Sequence, residues 1–268
     1  MIRAVAALGA LACFAATAAA AESTPAPLEG AALFDAPRIG PELWIGGGPF
    51  AFPRYPGATR DRVRLIPEVT GGWGERFEFD VLDGARYALV QGGGLSAGPA
   101  ARVRFGRRPH DDRRNLVGLR GFSDTVEIGG YVAYDTDWIA LDSTLTQDPF
   151  RAHRGAVWET RALFQGAVGR VGASMGPFAR AMSRPFAESY YGVPPGTTGR
   201  AAYDARAGFE RVGLMAAAEW RITDAVGLRG YAEVGRLVGS AARSSLVRGE
   251  GGSRDQFAGG AFLVWRVF

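Results

Sequence analysis

Few residues in this 268-residue chain could carry acid–base or metal chemistry. The two histidines are His110 and His153, and only His110 adjoins carboxylates, those of Asp111 and Asp112. Such a group could activate water or bind a cation. Four arginines share its loop, residues 107–114, so a contact for lipid phosphates is a second interpretation and a solvated, self-paired loop is the one that we favour. We therefore predict no catalytic, cofactor-binding or metal-binding residue, and no cofactor.

The composition excludes several classes of protein. With one cysteine, Cys13, and two histidines, the chain cannot form a disulfide framework or a cysteine- or histidine-rich zinc site. Hydrophobic residues make up 47% and charged residues 22%, which fits neither a disordered chain nor a bundle of membrane helices. The net charge of +4 is small, and neither glycine run, 46–48 or 92–94, has the context of a phosphate-binding loop. We predict no nucleic-acid binding.

Charged and apolar residues alternate along much of the chain. In 124–135, for example, the apolar Val126 and Ile128 flank the charged Glu127. The same pattern recurs in four further segments: 77–81, 95–105, 210–222 and 226–235. A period of two over about 8–12 residues predicts β-strands with one apolar and one polar face.

The connections between these strands alternate in length, as in transmembrane β-barrels. The short ones are 71–74, 92–94, 135–137, 169–170 and 223–225. The long ones lie near 53–61, 107–123, 147–155, 183–207 and 240–254. We predict an all-β fold, a transmembrane antiparallel β-barrel over residues 42–268. A tight turn at Asp83-Gly84 on the outer side gives twelve strands, and a single bent strand over 75–91 would give ten.

Charges on the polar face would then point into the barrel. The predicted lumen-facing residues are Arg102, Arg104, Glu127, Arg211, Glu219, Arg221, Arg229 and Glu233. A twelve-stranded barrel has an interior wider than side chains just fill and narrower than a porin channel. These charges could fill the lumen as an ion-paired network or line a narrow, wet pore, and the sequence leaves both open.

Both ends of the chain fit export to an outer membrane. Arg3 precedes the uncharged, alanine-rich run Ala4–Ala21, which predicts a signal peptide over 1–21 that is cleaved after Ala21. A retained membrane helix and a lipoprotein cut at Cys13 are the alternatives. Residues 22–41 hold four prolines and predict an extended periplasmic leader. The chain ends on the aromatic Phe268, on the opposite parity from the apolar Leu263, Trp265 and Val267, so we expect the last residue out of register.

Several long motifs, in order, resemble the MipA/OmpV family of outer-membrane proteins. The most distinctive is SYYGVPPGTTGRAAYDARAGFERVGL, residues 189–214, in which an aromatic pair and Gly-Val-x-Pro precede Ala-Tyr-Asp-Ala-x-Ala-Gly. The other matches are 52–69, 119–122, 244–248 and 252–257. Two departures are Pro195, which follows the family's usual proline, and the ending Trp-Arg-Val-Phe in place of Tyr-Arg-Phe.

This resemblance implies a bacterial outer-membrane location, in contact with membrane lipid and lipopolysaccharide. It implies a non-enzymatic scaffold that links a periplasmic lytic transglycosylase to a murein synthase through the leader 22–41 and the short inner turns. No catalytic residues carry over from the family. The alternatives are a narrow channel, a small-solute or stress-related binder and, remotely, a rim hydrolase that uses His110.

Overall fold

The alternating segments form thirteen β-strands in the computed structural model, which describes residues 41–268. The first seven are β1 (Pro41–Pro53), β2 (Asp61–Trp73), β3 (Phe77–Asp80), β4 (Gly84–Tyr87), β5 (Val90–Gly92), β6 (Leu95–Arg104) and β7 (Thr125–Asp135). The others are β8 (Ile139–Gln147), β9 (Ala156–Val168), β10 (Val171–Met182), β11 (Gly208–Arg221), β12 (Val226–Leu237) and β13 (Asp255–Arg266). The predicted signal peptide and leader lie outside the described residues, apart from Pro41 at the start of β1.

The strands close into a twelve-stranded antiparallel barrel. Strands that are consecutive in the chain pair with each other, except β4 and β5; in addition β1 pairs with β13, and β4 pairs with β6. Segments β4 and β5 both pair along β6 and form one interrupted strand, so the thirteen segments make up twelve strands of the barrel wall. The prediction of twelve strands is confirmed. The alternative of ten is wrong, because the chain reverses at residues 81–83 between β3 and β4.

The barrel has two unlike ends. Short turns after β2, β5, β7, β9 and β11 lie at one end, which we call the turn end. Segments 54–60, 105–124, 148–155, 183–207 and 238–254 lie at the other, which we call the loop end. Strand β13 brings the chain back to the turn end, where Val267 N–H donates to the Leu43 carbonyl and Leu43 N–H donates to the Phe268 carbonyl. Pairing therefore continues through the last residue, and the Phe268 side chain is half-exposed at the rim.

Apolar side chains point outward along the strands. In β7, Val126, Ile128 and Val132 are exposed, whereas Glu127 between them is completely buried. Aromatic side chains on this exterior include Trp73, which is 70% exposed at the turn end. Among the described residues, the helices are all too short or too polar to span a membrane.

Four of the connections at the loop end pack into a folded lid, made of 54–60, 105–124, 183–207 and 238–254. Two helices, α1 (Arg184–Tyr191) and α2 (Ser245–Arg248), lie in it. Tyr191 Oη donates to Glu210 at 2.6 Å, and Ser244 Oγ donates to the Tyr191 carbonyl at 2.6 Å. Two clusters of buried apolar side chains join the segments. The motif stretch 189–214 thus supplies much of the lid and the start of β11.

Strands β1 and β13 approach each other so closely that position 48 between them has no room for a side chain. A Cβ atom at Gly48 in β1 would lie 1.8 Å from the Ala261 carbonyl oxygen in β13. A Cβ atom at Gly166 in β9 would meet nothing within 4 Å. The β1–β13 seam therefore requires glycine at position 48.

We expect Gly48→Ala to destabilise the barrel by about 1–3 kcal/mol, because β1 and β13 must separate to admit the methyl group. Urea unfolding in detergent micelles, followed by tryptophan fluorescence, measures this. Gly166→Ala is the matched control and should leave the midpoint unchanged. Equal midpoints for the two variants would contradict the close approach.

Candidate functional site

Inward-facing charges surround a cavity of about 290 Å³ inside the barrel. Of the eight residues expected to face the lumen, six line this cavity: Arg102, Arg104, Arg211, Glu219, Arg229 and Glu233. Glu127 is fully buried beside it, and the Arg221 side chain is 40% exposed near the turn end with its Nε on Glu219 at 3.1 Å. Phenylalanine and tyrosine rings make up much of the remaining lining.

Glu159 in β9 lies at the centre of the charge network. Its Oε1 accepts from Arg102 Nη1 at 2.8 Å, and its Oε2 accepts from Arg180 Nη2 at 2.6 Å. These arginines come from β6 and β10, so one carboxylate ties three strands across the interior. Because all three groups are largely buried, the interaction is screened little by solvent.

The short β3–β4 hairpin adds a second set of ion pairs. Asp83 in its turn lies 2.9 Å from Arg161 Nη1 and 3.6 Å from Arg102 Nη2. Asp142 in β8 lies 2.7 Å from Arg86 Nη1. The hairpin tip is therefore held inside the barrel by opposite charges on β6 and β9.

Glu127 and the buried His153 form a third set at the loop end. Arg104 donates to both Glu127 oxygens at 3.0 and 2.8 Å, Thr146 donates to Oε2 at 2.7 Å, and His153 Nε2 lies 2.9 Å from Oε1. His153 lies in a loop, as expected, but it packs against Phe186 and is not solvated. It therefore links the loop 148–155 to the charge network.

Asp148 organises that same loop. Burial opposes ionisation of its carboxyl, but the backbone N–H groups of Arg154 and His153 and the Thr125 hydroxyl donate to it, so its pKa lies below the usual range. Asp148 thus acts as a cap for a turn in which Arg151 and Arg154 have positive φ angles.

The run at 107–114 folds as part of the lid. Asp111 Oδ1 accepts from Arg62 Nη1 at 2.7 Å, and Asp112 accepts from Asn115. Burial lowers the pKa of Arg107 to about 10, and its guanidinium donates to the Tyr190 and Arg120 carbonyls. Across residues 41–268, no three histidine, cysteine or acidic side chains come together as a metal site.

Nine charged residues inside the barrel were not among the eight that the sequence predicted to face the lumen. Those not expected are Glu68, Asp80, Asp83, Arg86, Asp142, Glu159, Arg161, Arg180 and Glu210. Several lie in β8, β9 and β10, whose alternation includes polar or small residues on the outward face, such as Ser143 and Thr160. A parity count across 139–182 would have placed Asp142, Glu159 and Arg161 on the inner face.

Chemically, this arrangement holds charges of opposite sign together around a partly apolar space. The pairs join neighbouring strands and strands up to three positions apart, and they tie the hairpin tip to β9 inside the barrel, while the lid covers the loop end. Such an interior stiffens the barrel and can enclose a small apolar group.

The comparison with known protein families identifies one match. A family model described as MltA-interacting protein MipA matches residues 45–267. No curated protein sequence matches the chain. The match spans almost the whole of the barrel, from within β1 to the penultimate residue.

We expect Glu159→Ala to cost about 3–5 kcal/mol of unfolding free energy, because it leaves Arg102 and Arg180 buried without their shared carboxylate. Urea unfolding in micelles measures the loss. Glu250→Ala removes an exposed ion pair with Arg114 and should cost less than about 1 kcal/mol. A Glu159→Ala protein as stable as that control would show that the network adds no stability.

Proposed function

Because the chain belongs to the MltA-interacting protein MipA family, we propose that it is a non-enzymatic outer-membrane barrel that docks murein enzymes. The observation that carries this proposal is the family match over almost the whole barrel. The family is named for an interaction with MltA. The barrel supplies an anchor, and the partner supplies the chemistry. The proposed partners are a periplasmic lytic transglycosylase and a murein synthase.

The exterior of the barrel supports the membrane location. Closing the sheet pairs β1 with β13, which a β-structure in hydrocarbon needs because lipid cannot bond to free N–H and C=O groups. The exposed face carries Val126, Ile128 and Leu145, and Trp73 and Trp138 lie toward the turn end, where an aromatic girdle is typical. In bacterial barrels short turns face the periplasm, so the turn end is the side that meets murein enzymes.

The turn end offers exposed charges for docking. Arg170, in the turn after β9, lies 3.2 Å from Asp224, in the turn after β11, and Asp224 is almost fully exposed. Glu75, in the turn after β2, is also exposed. Charged groups at the rim of an interface steer association and set orientation. Strand β1 begins at this same end, so we include the predicted leader 22–41, which precedes it in the chain, in the docking surface.

A small-solute binder is the second candidate, and the interior cavity favours it over a channel. The ion pairs of Glu159 and Asp83 lie inside the barrel between β6, β9 and the hairpin tip, and the lid covers the loop end. These features support a barrel that holds a ligand without conducting ions. A rim hydrolase gains no support, because Asp111 beside His110 is engaged with Arg62.

We expect immobilised, detergent-solubilised protein to retain a purified lytic transglycosylase and a murein synthase. Arg170→Ala/Asp224→Ala should weaken transglycosylase binding at least about tenfold, measured by biolayer interferometry, because charged pairs at an interface favour association. Arg114→Ala/Glu250→Ala removes another exposed pair, from the loop end, and should bind normally. Recovery of neither enzyme, or equal weakening by the loop-end variant, would count against docking at the turn end.

We expect no steady conductance from the intact protein in planar bilayers, because paired charges and the lid obstruct the lumen. Arg102→Ala/Arg104→Ala tests this, since it removes two cations that line the cavity. Arg236→Ala, which breaks an exposed pair with Asp255, is the control. A steady conductance that changes in the double variant alone would favour the channel.

A further inference from the structure

We propose that a membrane lipid inserts one acyl chain into the interior cavity through a window in the barrel wall. The window is the opening between β2 and β6 above the short β3–β4 hairpin. This function is independent of murein-enzyme docking and uses a different part of the molecule.

The window exists because β3 and β4 are much shorter than their neighbours. Strand β2 pairs with β3 only at residues 70–73, and the Val69 carbonyl accepts from Val81 N–H. Strand β4 pairs with β6 only at residues 100–101. Within the described chain, no strand therefore pairs with the free edge of β2 at 62–68 or with that of β6 at 102–104.

The window has a closed top and a wide base. At the loop end, Arg62 binds Asp111 at 2.7 Å, and the rings of Phe52 and Phe105 stack at 6.1 Å between centroids. At the base, three strand intervals separate β2 from β6, which corresponds to about 14 Å. An opening that narrows from this base to a closed top admits an acyl chain but not a folded domain.

The cavity behind the window suits an apolar chain. Residues from both edges of the window, Arg62 and Val103, line it together with interior residues, so the window and the cavity are one continuous space. Interior apolar groups include Leu82 at the hairpin tip, Met215 and Tyr231. With about 290 Å³, the cavity lies at the lower limit of ligand pockets, which fits one chain and not a whole lipid.

The outward surface beside the window faces hydrocarbon. Val63 and Leu65 in β2 are 68% and 83% exposed, and Val103 and Phe105 flank the other side. The unpaired N–H and C=O groups on both edges need polar partners at this depth. A lipid provides acceptors for the N–H groups, because its ester and phosphate oxygens can lie in the window while a chain enters the cavity, and the hydroxyls of a headgroup such as that of phosphatidylglycerol can donate to the C=O groups.

Arg64 points to the chemistry of the lipid headgroup. It lies on the inward parity of β2, between the outward Val63 and Leu65, yet it is exposed because no strand stands beside it. An arginine on the outside of a membrane-spanning wall requires an anion or a path to the interface. A lipid phosphate meets this need, whereas a peptide added to the β2 edge would leave the cavity empty.

Moving a chain from bilayer to cavity gains nothing from the hydrophobic effect, since the chain leaves an apolar environment for a cavity whose lining is only partly apolar. The gains are contacts with cavity walls that would otherwise lack neighbours, and hydrogen bonds to the window edges. We therefore expect a bound lipid that exchanges with the bilayer.

The test uses the intact protein in phosphatidylcholine vesicles that contain phosphatidylglycerol with a diazirine at the end of one acyl chain. After illumination, mass spectrometry should find labelled interior residues, Leu82, Met215 or Tyr231, as well as outward ones. Labelling confined to outward residues in the unmodified protein would overturn the proposal without any variant having to fold.

Two variants on β11 block or spare the cavity. Ala217 pairs with the inward Tyr231 and lines the cavity, so Ala217→Trp should cut interior labelling at least about tenfold. Leu214→Trp places the same ring on the outward, exposed face of β11, away from the cavity lining, and should leave interior labelling unchanged. Interior labelling that persists in a folded Ala217→Trp protein would contradict the assigned cavity.

The headgroup is tested with a diazirine-bearing diacylglycerol, which lacks phosphate. The unmodified protein should label several-fold more with phosphatidylglycerol than with diacylglycerol, and Arg64→Ala should abolish this preference. Arg236→Ala, an exposed arginine on β12, should retain it. Equal labelling by both lipids in the unmodified protein would overturn the role of Arg64, and a copurified peptide without interior labelling would identify strand addition instead.

Discussion

The need to satisfy every backbone N–H and C=O group governs this structure. A free sheet edge is costly in hydrocarbon, because its N–H and C=O groups find no partners there. The chain accordingly pairs β1 with β13 and β4 with β6. The β1–β2 pair runs through thirteen register positions, whereas β4 meets β6 at two. Closure is thus complete around most of the wall and interrupted at one place, and the lid and the charge network lie around that interruption.

The interior follows from the same closure. Rolling the sheet into a cylinder turns one face of every strand inward, where charged groups must find partners because water is scarce. Arginine suits this setting, since its planar fork can serve two carboxylates at once, as Arg102 does with Glu159 and Asp83. The same pairs bring the hairpin tip into the lumen, so the feature that shortens the wall also helps to fill the interior.

The strand period and the alternation of short and long connections were enough to predict the barrel and its twelve strands. A single strand's parity, as in β7, shows which residues share a face. It does not show which charges meet across a lumen, because Glu159 and Arg102 belong to strands that are not neighbours in the sheet. For the same reason the burial of His153 could not be read from its loop, since its partner Glu127 lies in β7. The lid depends on contacts between four distant loops, which no local pattern encodes.

The short pairings around the β3–β4 hairpin have a mechanical consequence. A cylinder under lateral stress parts where the fewest bonds resist it, and here that is the sector between β2 and β6, where β2–β3 and β3–β4 pair at four positions each and β4 meets β6 at two. In the proposed membrane location, changes in bilayer thickness or curvature would therefore act mainly on this sector, while the long strands from β7 to β13 form the stiffer part of the wall. The barrel is therefore not uniformly stiff, because its compliance is concentrated in the sector between β2 and β6.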